Sequence, residues 1–253
     1  MPDKSKGKLY IGTSNIVLPG NKSTFLEAYK CKSRLNYYSS LFNTVEVNSS
    51  FYKVPMYSTC EKWADDVGHD FKFTIKLWRE ITHGRELTFE GANIHLFLKT
   101  INSFGYKKGC LLLQFPGKIT LDYFNKVEDM LYQITKSDFA HDWKTVIEFR
   151  HTSWYTGEAF ELLDAHNASM VLHDNPKAKN ERLNKNAEVI YLRLHGPNGD
   201  YRGSYNKQFL QEKSEKIKDW ISDGKEVYVY FNNSAGDAFA NARKLQKITG
   251  TIF

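Results

Sequence analysis

What the sequence lacks narrows the possibilities first. None of its 253 residues fall in a run of about 18 or more apolar side chains, so nothing reads as a membrane span. The opening MPDKSKGKLY has no apolar stretch of the kind a secretion signal needs, and residues 1–7 read as a charged tail. Cysteine is scarce: Cys31, Cys60 and Cys110 are odd in number, far apart, and form no CxxC. That argues against a disulfide framework and a cysteine zinc site, and it fits a reducing cytoplasm, which is the expected location. A Walker loop, a glycine-rich dinucleotide turn after a strand, a GxSxG elbow and an HExxH pair are all missing. Nucleoside triphosphate, dinucleotide, serine-hydrolase and zincin chemistries therefore have no sequence support. Linkers rich in proline, glycine or serine are absent too, as are low-complexity segments and shifts of composition. Residues 8–253 are accordingly expected to form one domain.

What is present has a rhythm. Apolar residues make up 41% and aromatics 15%, enough for a sizeable core. Eight short β-type runs recur: KLYIGTS (8–14), TVEVNSSF (44–51), FKFTIKL (71–77), GCLLLQF (109–115), TVIEFR (145–150), SMVLHD (169–174), VIYLRLHG (189–196) and EVYVYFNN (226–233). Between most of them lie stretches with apolar residues three and four apart, such as residues 25–42, LDYFNKVEDMLYQI and FLQEKSEKIKDWI, which predict helices. Residues 175–188 are too polar and too short, so the helix between strands six and seven is weak or missing. Strands alternating with helices mean right-handed βαβ units and a parallel sheet. The expected class is α/β, a single (β/α)8 TIM-type barrel.

Strands covered on both faces usually read as continuous apolar runs, but several here alternate. Ile190, Leu192 and Leu194 oppose Tyr191, Arg193 and His195; Ile147 and Phe149 oppose Glu148 and Arg150. In a barrel the outward face packs on helices, so the polar sets should point inward. This predicts an interior cluster of Glu46, Asn48, Lys76, Gln114, Glu148, Arg150, His173, Arg193, His195 and Asn232, mostly near C-terminal strand ends. Two carboxylates would face three cations. A buried unpaired charge costs several kcal/mol or more, so most should be paired, leaving roughly one positive charge for an anionic ligand. The competing reading is a self-satisfied polar plug.

Loops add candidates. The segment 195–209, HGPNGDYRGSYNKQF, carries Tyr201, Arg202, Tyr205 and Lys207 and could close over a phosphate or stack on a base; a surface loop with its tyrosines on the rim is the alternative. After strand eight, Asn233 and the small residues of 232–242 precede a helix N-terminus, a recurrent anion position, although capping by Ser234 or Asp237 explains Asp237 better. Phe51, Tyr52, Trp154 and Tyr155 could floor a pocket or simply pack as core. Four of the eight histidines, His83, His151, His173 and His195, lie at or just past strand ends. With Glu46 and Glu148 they could hold a divalent metal, but no tight ligand spacing is present. Histidines bonded to neighbouring strands or loop backbone are the preferred reading, so no metal ligand is assigned and the cofactor is left unknown.

The motifs IGTS, TVEVNSSFY, FKFTIK followed by ITH, QFP, EFRHTSW, YLRLHG and YFNN with AGDAFANA resemble, in that order, the YecE-like family, domain of unknown function 72. The resemblance runs from about residue 8 to the end. It implies a TIM-type barrel and brings no established activity. Two departures stand out: IGTS continues with Asn15 where the family usually has Gly-Trp, and Gly117 follows QFP where a second proline is common.

The expected function is an enzyme acting on a small anionic substrate, phosphorylated or sugar-like, at a cationic mouth. Glu46 or Glu148 would serve as acid or base with His173 or His195 as helper; Lys76, Arg150 and Arg193 would hold the anion, and Asn48, Gln114 and Asn232 would orient the substrate. The net charge of +6 and the isoelectric point near 9.0 lean the same way, though an ordinary lysine-rich surface explains them equally well. The alternative is a non-catalytic nucleic-acid-binding protein using the same mouth with the basic loops 177–185 and 202–216. Salt dependence separates the two. No membrane partner is expected.

Overall fold

A computed structural model describes residues 7–251. The tail expected over 1–7 therefore lies outside the described residues except for Gly7, whose N–H donates to the Ile221 carbonyl at 3.0 Å. The strands are β1 (Leu9–Thr13), β2 (Thr44–Val47), β3 (Lys72–Lys76), β4 (Lys108–Phe115), β5 (Lys144–Phe149), β6 (Ser169–Met170), β7 (Leu172–His173), β8 (Val189–Leu194) and β9 (Glu226–Phe231). The α-helices are α1 (Arg34–Ser39), α2 (Ser49–Tyr52), α3 (Tyr57–Asp65), α4 (Arg79–Thr82), α5 (Gly91–Ile101), α6 (Phe124–Thr135), α7 (Gly157–Ala165), α8 (Lys207–Ser222) and α9 (Ala238–Thr249). The class is α/β. The long helix expected over 25–42 is broken: a 3₁₀ turn covers Glu27–Tyr29, and α1 starts afresh where Ser33 Oγ accepts the Asn36 N–H at 2.9 Å. Among the described residues no helix is long and apolar enough to cross a membrane.

All strand pairs in the ladders are parallel, as βαβ connections require, but they form two sheets rather than one ring. One has the order β1-β9-β8-β7, the other β2-β3-β4-β5-β6. The sheets meet at two seams, and at each one side chains stand where ladder bonds would be. Between β1 and β2, Asn43 takes the Ile11 N–H on Oδ1 (3.1 Å) and donates from Nδ2 to the Leu9 carbonyl (2.8 Å). Tyr38 accepts the Thr13 N–H at 2.8 Å and donates to the Thr44 carbonyl at 3.1 Å. The strands approach so closely that a Cβ on Gly12 would sit 2.2 Å from the Thr44 oxygen, which only glycine allows. A single bridge, Ser14 to Glu46, joins the backbones.

The second seam runs through the sixth strand of the sequence. SMVLHD is two short pieces: β6 pairs with β5 and β7 with β8, with Val171 between them donating to the Ile147 carbonyl at 2.8 Å. The polar segment after β7 contains no helix and supplies amides instead. Asn184 Oδ1 accepts the Met170 N–H and its Nδ2 reaches the Ala168 carbonyl, both at 2.9 Å; Asn180 Nδ2 donates to the Val171 carbonyl at 2.9 Å. Backbone groups buried in this region would otherwise be orphaned.

Alternation along the strands separates two apolar clusters. The larger one holds Val45, Phe73, Ile75, Leu113, Ile147, Phe149, Leu192, Leu194, Val229 and Phe231 and packs against the helices. The smaller one comprises Tyr10, Cys110, Leu112, Val146, Val171, Val189, Tyr191, Tyr228 and Tyr230 on the opposite strand faces. Tyr10 stacks on Tyr228 with centroids 4.5 Å apart, and the Tyr230 hydroxyl lies 2.5 Å from Thr44 Oγ1 and 2.8 Å from Thr74 Oγ1. Two residues further along these strands the same face turns polar, at Arg193 and Asn232.

Candidate functional site

Parallel pairing aligns the polar positions. Register sets Gln114 beside Glu148 and His173 beside Arg193, so side chains distant in sequence share one level. Glu46, at the end of β2, is wholly buried. Its carboxylate accepts from Ser14 Oγ (2.6 Å), Asn48 Nδ2 (3.0 Å), the Tyr191 hydroxyl (2.5 Å) and Arg193 Nη2 (2.9 Å). Arg193 also reaches Glu148, from Nη1 to Oε2 at 3.2 Å. Glu148 is in turn paired with Arg150 Nε. Arg193 is 3% exposed and both glutamates 0%, so this is a buried network in which each charge is answered.

Burial alone would raise both carboxyls. For Glu46 the Arg193 charge and the hydrogen bonds outweigh burial and hold it below the ordinary value. For Glu148 the charges of Arg150 and Arg193 hold it well below. Both are therefore carboxylates at neutral pH. Lys76 differs. Its Nζ donates to Gln114 Oε1 at 2.8 Å and sits 4.1 Å from the centroid of the Phe51 ring. Burial and then the Arg193 charge push its pKa down to about 7, more than Glu148 and Glu46 can restore.

The histidines have defined tautomers by the logic of their partners. Arg150 Nη2 lies 2.8 Å from His195 Nε2 and can only donate, so Nε2 accepts and Nδ1 carries the proton, 3.3 Å from Asp174 Oδ1. Asp174 also accepts the His195 backbone N–H at 2.7 Å and the Tyr205 hydroxyl. His173 is the reverse. Its Nδ1 accepts the Asn175 N–H at 3.3 Å, and Nε2 donates toward the Phe149 carbonyl at 3.1 Å. Burial lowers His173 to about 4 and His83 to about 4, so both are neutral. His151 caps the turn at Thr152–Trp154, its Nδ1 taking the Ser153 N–H at 3.2 Å. Among the described residues no three His, Cys, Asp or Glu side chains are grouped to hold a metal ion.

A cavity of about 550 Å³ opens above this network. Of the residues expected to bind substrate, Asn48, Tyr52, Lys76 and Gln114 line it, and so do Arg150, Arg193, Tyr201 and Asn232. Glu46 and Glu148 lie behind the arginines and do not line it, so its charged residues are all cations. Tyr201 reaches the rim from a left-handed backbone (φ 66°), a strained setting for a bulky residue. Asn48 Oδ1 is buried and has no hydrogen-bond partner among the described residues.

Other expected residues lie elsewhere. Trp154 is buried in the helix-facing core, stacked on Phe149 at 4.0 Å, with its Nε1 donating to the Ile119 carbonyl; the 3₁₀ turn after β5 carries it outward. Asn233 is buried, donating to the Gly203 carbonyl at 2.9 Å and Asn241 Oδ1 at 3.1 Å. His173 and Tyr205 line a second cavity of about 440 Å³ beside α8, under the segment that lacks a helix. Sequence reading did not single out Ser14, Tyr191 or Asp174. Tyr191 shares the face of Arg193 two residues before it, and Ser14 ends the first strand run, so both carried a positional signal; Asp174, past the last paired residue of β7, carried none.

Comparisons with known proteins agree on the architecture. A DUF72 family protein from Enterococcus faecalis superposes with a TM-score of 0.77 at 23% identity, covering 96% of this chain and 98% of that one. One from Thermotoga maritima gives 0.73 at 24% identity, covering 96% and 99%. The UPF0759 protein YunF of Bacillus subtilis is 26% identical over 251 residues, covering 86% of each chain. The family profile described as "Protein of unknown function DUF72" matches residues 10–252, nearly the whole sequence that carries the two sheets and the buried arginine network, and the chain belongs to that family.

Proposed function

We propose that the protein is a (β/α)8-barrel enzyme, its two sheets closing at their seams, and that the 550 Å³ cavity is its active site for a small anionic substrate, phosphorylated or sugar-like. The observation that carries this reading is the sorting of charge: the lining presents Lys76, Arg150 and Arg193, while the carboxylates are held behind them. Arg193 is committed to both glutamates. Arg150 uses Nε and Nη2, and its Nη1 has no protein partner among the described residues, which leaves it to grip a carboxylate or phosphate oxygen. Asn48, Gln114 and Asn232 line the same cavity and supply amide groups for substrate hydroxyls. Phe51, Tyr52 and Tyr201 supply apolar walls.

The chemistry of the network changes the roles first expected of its members. Glu46 accepts from four side chains and is ionised, so its work is to fix Arg193 rather than to exchange protons. Glu148 likewise anchors Arg150. His195 offers its only acceptor nitrogen to Arg150, which makes it a positioning residue supported by Asp174.

Calorimetric titration with inorganic phosphate, sugar phosphates and dicarboxylates tests the reading, with single-stranded oligonucleotides run in parallel across salt. Binding of at least one small anion is expected, weakened about 10–100-fold in Arg150→Met, the loss of one charge-assisted contact. Silence toward every small anion, with oligonucleotide binding that falls steeply with salt, would replace this reading by a nucleic-acid-binding one.

A further inference from the structure

Among the described residues three lysines are largely removed from water, and they are handled differently. Lys107 closes the 3₁₀ segment Asn102–Lys107 and Lys108 begins β4, both away from the cavity. Lys107 Nζ donates to the carbonyls of Ala64 and Val67, and Lys108 Nζ to Asn102 Oδ1 and the His141 carbonyl. Each thus has two oxygens to hold its protons. Lys76 is 8% exposed, and among the described residues its Nζ has a single hydrogen bond, to an amide oxygen. The carboxylates of its neighbourhood, Glu46 and Glu148, are paired with Arg193 and Arg150. Those two arginines act on it as well, lowering its pKa further, and its own charge in turn lowers His83. An amine in this position is short of counter-charge, and it is the one amine among the described residues lining a cavity that otherwise offers amides, phenols, guanidinium groups, the Phe51 ring and the Ser49 hydroxyl. Of all these groups only a neutral amine condenses with a carbonyl to an iminium.

We propose that Lys76 Nζ condenses with the carbonyl carbon of a small aldehyde or ketone whose acidic group rests on Arg150. This rests on the reading of the cavity as a small-anion site and names its reaction class. The lone pair of the neutral amine attacks the carbonyl carbon. A C–N bond forms, the π pair moves to oxygen, and the nitrogen's proton passes through water to that oxygen. The resulting hydroxyl leaves as water with a proton drawn from solvent, and the nitrogen closes a C=N⁺ bond. Nothing is oxidised or reduced. The iminium carries the same charge as the ammonium, so the network around it is not further loaded, and the substrate's own anion offsets Arg150. Burial that brings Lys76 to about 7 leaves roughly half of it neutral at that pH, against about one part in 3,000 for a lysine at the ordinary 10.5, so its reactive fraction exceeds that of surface lysines by about 10³-fold.

The test is reductive trapping. The full chain is incubated at pH 7 with pyruvate or glyceraldehyde 3-phosphate, then with cyanoborohydride, whose hydride turns an iminium into a stable secondary amine. Intact mass and peptide mapping follow. A single adduct on Lys76 is expected, lost in Lys76→Met, suppressed by inorganic phosphate, and appearing with a half-point near pH 7. Which probe labels tells a carboxylate from a phosphate substrate. Labelling spread over surface lysines alike in the wild type and Lys76→Met overturns the proposal. If calorimetry shows either carbonyl compound bound without any adduct, the covalent step falls and the anion site stands; if no anion binds at all, both fall. Circular dichroism of Lys76→Met establishes that its silence is not misfolding.

Discussion

Arg193 meets Glu46 through both Nε and Nη2, at 3.0 and 2.9 Å, with 3% of one side chain and none of the other in contact with solvent. A pair placed so is a structural commitment. Arg193→Met would leave buried Glu46 without its main charge partner and Glu148 with Arg150 alone. A loss of about 3–5 kcal/mol of folding stability is expected, the cost of breaking a buried ion pair from one side. Urea titration measures it. A loss below 1 kcal/mol would mean that the network is not buried as described.

Acid should reveal the network in two stages. His173 and His83 have folded values lowered to about 4 from 6.5. Their unfolded forms take up protons first, so the stability tied to keeping them neutral is full above about 6.5 and is lost as pH falls toward 4. Glu46 and Glu148 are depressed from 4.5, so what they contribute is full above that value and is lost as pH falls further. The thermal midpoint should therefore decline from pH 7 downward and steepen below 4.5. His173→Gln should flatten the upper part alone. A midpoint level between pH 7 and 5 would contradict the neutral state of buried His173 and half-buried His83.

Lys76 carries the opposite kind of prediction. An amine lowered to about 7 from 10.5 is protonated more readily in the unfolded chain, so its penalty is absent above about 10.5 and complete below about 7. Lys76→Met, similar in shape and without charge, should raise the thermal midpoint at pH 7, by about 2–4 °C for each kcal/mol regained. The gain should shrink toward pH 10. Such a gain would support the proposed functional role of Lys76 over a structural one.

Asn184 stands in for a strand neighbour. Asn184→Ala removes the acceptor of the Met170 N–H and the donor to the Ala168 carbonyl, so about 1–3 kcal/mol of stability should go, concentrated locally. Hydrogen exchange at Met170 should speed up while exchange at Leu112 in β4 changes only as far as global stability does. Uniform change across both would show that the seam is not a separate unit.

How far all this could be read from the sequence depends on which forces act at each residue. Glu46, Lys76, Glu148 and Arg193 were legible because strand alternation is geometric: apolar neighbours on either side of each fix which face it takes. Trp154 was not, because a 3₁₀ turn after β5 rotates it outward, and an aromatic ring packs equally well in a pocket or a core. The two-sheet pairing was hidden for a related reason. Asn43, Asn180 and Asn184 replace ladder bonds with side-chain amides, and an asparagine in a loop looks the same whether it faces water or a strand edge. Lys76 does line the cavity but was read as a permanent cation; what lowers its charge is burial and then the nearness of Arg193, with both glutamates already engaged by arginines, and these are three-dimensional facts.

The tyrosines beneath the arginine network have a kinetic meaning. Tyr10, Tyr228, Tyr230 and Tyr191 are almost entirely removed from solvent and stacked side by side, so the space between the strands is stoppered below. Whatever enters from the rim must back out the way it came. On the proposed reading of the cavity as an active site, traffic through that one side would impose an order on arrivals and departures: a second reactant could not slip in from below behind the first, and a lingering product would bar the next turnover.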